Sequence, residues 1–143
     1  MNKLLAALLL TFWLPSLYNL SYGQDYWQQE LHYRINVTLN DKQHTLNGDL
    51  QLEYINHSPD TLHFIWFHIW PNAYKNDKTA YSDQALQNGN TDFYFSDKED
   101  KGYINRLDFK VNDITAETED HPQHIDIIKL LLPSPLAPGQ KIK

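Results

Sequence analysis

Seven histidines, His32, His44, His57, His63, His68, His121 and His124, are the strongest metal-ligating side chains in this sequence. There is no cysteine, so a metal would have to be held by imidazole and carboxylate alone, and a disulfide framework is excluded. A catalytic zinc often takes two histidines four positions apart on one helix. No H-E-x-x-H run is present, and neither is a G-x-S-x-G elbow or a phosphate-binding glycine loop. His63 and His68 lie five positions apart on an expected strand. They therefore point to opposite faces and are expected to bond to the backbone rather than share an ion. His121 and His124 flank Pro122 close to Glu117, Glu119, Asp120 and Asp126. A solvated acidic loop is expected there, with adventitious metal binding as the sharper alternative.

Aromatic side chains form the second group with chemical potential. Residues 92–100, reading DFYFSDKED, mix aromatics with acids, but the D-x-[DN]-x-[DN]-G spacing of a calcium loop is missing. A structural loop with its aromatics folded onto a sheet is expected. Trp66, Trp70, Tyr74 and Tyr81 would make a stacking platform for sugars or peptides if exposed. Aromatics in and after a two-sided apolar strand more often belong to a core.

These residues must be positioned by strands. Over residues 31–39 the odd positions Leu31, Tyr33, Ile35, Val37 and Leu39 are apolar and the even ones polar, the pattern of a half-buried strand. After a turn at residues 40–42 the alternation resumes through Leu46, Leu50, Leu52 and Tyr54, so a hairpin is expected, with Gly48 as a bulge. A turn at residues 56–60 leads to residues 62–70, apolar on both faces and hence expected to be covered on both sides. Residues 71–102 read as a long ordered loop with at most one short helix near residues 82–87. A second hairpin is expected across Asn112-Asp113, with its return strand at residues 114–118, followed by a strand over residues 125–132. A proline-rich turn follows, and Lys141 to Lys143 opens one further strand, uncompleted. The expected class is all-β, an antiparallel sandwich or saddle-shaped sheet with one long loop, incomplete at its C-terminal edge.

At 143 residues, 41% hydrophobic and 13% aromatic, the chain has the content of one domain with a core. The net charge of −6 provides no basic field for nucleic acid or an anionic lipid surface. Lys3, the apolar run over residues 4–14, Pro15 and the small residues around Gly23 read as a secretory signal over residues 1–23, cleaved after Gly23. As a helix that run would span about 16 Å, roughly half of a bilayer's hydrocarbon core. Membrane attachment is therefore expected only if the signal stays uncleaved. Export without cysteine suits a bacterial periplasm, cell envelope or secreted setting. Two tripeptides, Asn36-Val37-Thr38 and Asn56-His57-Ser58, match the glycosylation sequon.

The stretch FIWFHIWPNAY over residues 64–74, with FSDK at 95–98, GYINRL at 102–107, YRINVTLN at 33–40 and LAPGQ at 136–140, resembles the amino-terminal domain of bacterial gluzincin zinc metallopeptidases of the membrane alanyl aminopeptidase family. The resemblance covers nearly all of residues 24–143. It implies a β saddle packed over a separate catalytic domain that carries H-E-x-x-H, a further glutamate ligand and zinc, and hydrolyses amino-terminal residues from peptides. None of those catalytic or metal positions has a counterpart here, so the expectation is a non-catalytic, truncated domain, inactive alone, with no cofactor in this chain. The implied partners are the missing catalytic domain, on the same or an adjacent chain, and peptide substrates in the full-length family. Trp70, Tyr74, Tyr81, Phe93, Tyr94 and Phe95 are the candidate interdomain contact. From another class, the alternative is an exported β module binding a peptide, glycan or protein partner through its aromatic loop.

Overall fold

The computed structural model describes residues 26–143; the expected signal segment and its cleavage point lie outside them. The first alternating segments become two long strands, β1 (Glu30–Asn40) and β2 (Thr45–Ile55), paired antiparallel in unbroken register from Glu30↔Ile55 to Asn40↔Thr45. Their turn is built by the Asn40 side chain, whose Oδ1 accepts from Lys42 N–H and Gln43 N–H, while His44 takes a left-handed φ of 52°. Gly48 pairs regularly with Val37, so the expected bulge is absent. A Cβ there would meet only Asn36 O, at 3.9 Å.

A second sheet has the order β3 (Leu62–His68), β7 (Ile127–Leu136), β6 (Thr118–Asp120), all antiparallel. Of the proline-rich stretch expected as a turn, Pro133 and Pro135 instead continue β7, while Pro138-Gly139 does turn, with Gly139 at a φ of 75°. Between Phe64↔Leu131 and Leu62↔Leu136 the register shifts, and Pro133 and Pro135 sit in that irregularity, where a missing N–H breaks no ladder bond. A two-stranded ribbon, β4 (Lys110–Val111) and β5 (Ile114–Thr115), turns through Asn112 and Asp113, both at positive φ (49° and 68°), as a two-residue hairpin turn of the primed type requires. β5 ends at Thr115, and Thr118–Asp120 leaves this ribbon to pair with β7. Finally β8 (Lys141–Ile142) pairs antiparallel with the end of β2.

The chain is therefore all-β, made of open antiparallel sheets, and among the described residues helical structure is confined to the segment between β3 and β4. That segment holds more helix than its composition announced: 3-10 turns at Trp70–Tyr74 and Lys98–Asp100, α1 (Ala80–Gln87) and the single turn α2 (Asp92–Phe95). Thr79 caps α1 by accepting from Ser82 N–H at 3.2 Å and donates its own hydroxyl to Ala73 O at 2.7 Å. Asn72, buried, ties three segments together, donating to Ile125 O and accepting from Ile104 N–H.

The core is thin. Ile69, Ala73, Val111, Ile128, Leu130 and Leu136 are the buried apolar residues among those described. Ile128 and Leu130 share one face of the β3–β7–β6 sheet with Phe67, which meets Phe109 at 5.4 Å between ring centroids. The outer side is not covered as expected: Phe64 and Trp66 are 40% and 47% exposed. The rings shield one another edge-on at 5.9 Å, and Lys129 Nζ lies 4.6 Å above the Phe64 ring.

Candidate functional site

The six aromatics singled out as a contact surface divide into three groups. Tyr74, Tyr81 and Phe93 cluster with centroid separations of 4.6, 5.1 and 6.0 Å, so Phe93 folds onto the 3-10 turn and α1 rather than onto a sheet. Tyr94 and Phe95 touch each other, and Phe95 is 76% exposed. Trp70 stacks flat on His68 at 4.2 Å with its other side in solvent. The platform of Trp66, Trp70, Tyr74 and Tyr81 is not assembled as one surface: Trp66 instead meets Phe64 and His121.

The histidines are engaged individually. His121 Nδ1 accepts from Gln123 N–H and His124 N–H, which removes that nitrogen from any ligand set. His68, besides its stack on Trp70, has its Nδ1 3.7 Å from the Asp126 carboxylate. Near the start of β1, His32 Nε2 and His57 Nε2 both turn to the Glu30 carboxylate, at 2.8 and 3.0 Å. The bonds from His57 and then His32 hold the exposed Glu30 carboxyl below its usual range. Among the described residues no group of three histidines or acids is arranged to hold a metal ion. Of the two sequons, Asn56 is fully buried and its Nδ2 donates to Asp60 O and Leu136 O, whereas Asn36 stands on an exposed strand face.

The largest feature was visible in the sequence only as alternation. On one face of the β1–β2 hairpin every cross-strand pair is apolar or glycine: Leu31↔Tyr54, Tyr33↔Leu52, Ile35↔Leu50, Val37↔Gly48 and Leu39↔Leu46. That pattern predicts a face against a core. In the structure it is bare: Tyr33, Ile35 and Val37 are 56–58% exposed, and Leu39 and Leu46 66% and 68%. Only the base dips toward the body, where Leu52 and Tyr54 are half-buried and burial pushes the Tyr54 phenol pKa up. An isolated two-stranded hairpin is marginal in water, and a contiguous apolar surface of this size marks a place where something docks.

Compared with protein-family models, curated proteins and solved structures, the chain matches none. Among the described residues no helix is long and apolar enough to cross a membrane.

Proposed function

We propose that residues 24–143 are the non-catalytic amino-terminal β domain of an exported, zinc aminopeptidase-like metallopeptidase, the full-length protein removing amino-terminal residues from peptides. The sequence segments quoted above suggest the family. The observation that carries the reading is the bare apolar face of β1 and β2: Tyr33, Ile35, Val37, Leu39 and Leu46 are each more than half exposed, and a domain built to be completed by more polypeptide has reason to keep such a face. Zinc is assigned to no residue of this chain: His121 Nδ1 is taken by backbone N–H groups, and His32, His57 and His68 face single carboxylates. The aromatics Trp70, Tyr74, Tyr81, Phe93, Tyr94 and Phe95 serve as a second contact with the catalytic domain.

Reading the coding DNA past the Lys143 codon tests this directly. An in-frame H-E-x-x-H with a later glutamate is the expected result; a frame without it removes the aminopeptidase reading. The exposure of Trp70 (65%) and Phe95 (76%) favours one competitor, a free-standing module that binds a peptide or glycan. That module predicts saturable quenching of tryptophan fluorescence by such a ligand.

A further inference from the structure

We propose that the outer edge of β2, from Leu52 back to Leu46, is an acceptor for one more antiparallel strand, and that its occupant is the polypeptide directly following Lys143. The proposal rests on the parent-protein reading, since it requires the chain to continue.

The side from which the strand would add is fixed by bonds already present. Asn56 N–H donates to Gln140 O at 2.9 Å, and Gly139 N–H donates to Asn56 O at 2.7 Å, so the backbone groups of Asn56 face the β8 side. Successive residues of a strand present their N–H and C=O to opposite edges. Tyr54, Leu52, Leu50, Gly48 and Leu46 therefore face the same way as Asn56, while the residues between them face β1. β8 reaches only Tyr54↔Ile142 and Ile55↔Lys141. Among the described residues, the backbone groups of Leu52, Leu50, Gly48 and Leu46 have no strand partner on that edge.

The side chains are in phase with the ladder. Ile142 lies opposite Tyr54, on the apolar face, and Lys141 places its Nζ 3.2 Å from Glu53 on the polar one. Continued in this register, Lys143 falls opposite Glu53, and the first, third, fifth and seventh residues beyond it fall opposite Leu52, Leu50, Gly48 and Leu46. Residues directly opposite share a face, so those four should be apolar and the ones between them polar. β2 lacks two of the usual edge defences: it has no proline, and its register is unbroken by a bulge from Thr45 to Ile55. An added strand would satisfy the edge and carry along the whole hairpin the three-stranded arrangement that β8 begins at Tyr54 and Ile55.

Amide hydrogen exchange by NMR, on the chain ending at Lys143 and on one extended by about ten residues of its own coding frame, decides the matter. In the extended chain the amides of Leu46, Gly48, Leu50 and Leu52 should exchange at least about tenfold more slowly, while Asp49 and Gln51, which face β1, change little. Equal rates in the two chains would overturn the proposal. So would uniform slowing of both sets, which general stabilisation produces, or concentration-dependent protection in the shorter chain, which would give the edge to a second copy. A stop codon directly after Lys143 overturns it outright. Whether H-E-x-x-H occurs farther downstream is read separately, so the parent-enzyme reading can fail while the edge result stands.

Discussion

Asn56 concentrates more of the fold in one side chain than any other described residue whose bonds are quoted above. Its Nδ2 donates to Asp60 O and Leu136 O, and its Oδ1 accepts from Ser58 N–H, the Ser58 hydroxyl and Gln29 Nε2. One amide thus joins the entry to β1, the turn before β3 and the end of β7. Asn56→Ala would take from the buried Leu136 carbonyl and the buried Ser58 N–H their Asn56 partners, and we expect a loss of about 2–3 kcal/mol, measured by urea unfolding. A near-neutral result would mean that water replaces the amide. Glu30, next to this turn, supplies a pH dependence. Its carboxyl is held below its ordinary value by the bonds from His57 and His32, so the folded state favours the ionised form. The associated stability is present above the unfolded pKa and is lost as pH falls through the lowered folded value. The stability difference between the wild-type chain and Glu30→Gln should therefore shrink on acidification below about pH 4.5. Because the carboxylate is exposed, the effect is small, and a difference constant from pH 6 to pH 3 would exclude it.

Among the elements, the β1–β2 hairpin stands apart, because its strands are long and regular while little of the chain packs on them. Alternation made both strands legible in the sequence, and the cross-strand pairing follows from turn chemistry at Asn40. What covers the apolar face was not legible, since period-2 alternation identifies a face without naming its neighbour. Replacing Ile35 and Leu50 by threonine, a good strand former, removes apolar area from water without opening a core cavity. We expect a stability change within about 0.5 kcal/mol, together with weaker binding of a hydrophobic dye and less self-association. A loss of several kcal/mol would show that the face is already packed within the domain. The segment between β3 and β4 has the composition of a loop, and its helices escape periodicity because they are short and anchored by tertiary contacts. Thr79, bonded to both Ser82 N–H and Ala73 O, holds α1 in place more than helix periodicity does.

For the whole molecule, the balance of surfaces matters more than any single pocket. Six apolar residues are buried, against twenty-one large hydrophobic or aromatic residues left exposed among those described, and such a ratio makes a poor free-standing domain. Under the proposed division between this domain and a separate catalytic part, the chain by itself is expected to be catalytically silent. Incubated with zinc and amino-acid p-nitroanilides, the purified chain should hydrolyse them no faster than buffer does. Zinc-dependent, chelator-sensitive turnover would contradict the proposed division of labour between this domain and a separate catalytic part.

The sequence by itself determined the all-β class, the two long strands and their facing, the Asn112-Asp113 turn and the opening of β8, because each rests on local periodicity or on a residue's own φ preference. Only the tertiary structure decided that β7 runs on through Pro133 and Pro135, that Thr118–Asp120 leaves the β4–β5 ribbon for β7, and that the hairpin face and the outer side of β3 lie open. Those outcomes depend on which strands meet across long stretches of chain and on what is left to cover them, and neither is encoded in the spacing of neighbouring residues.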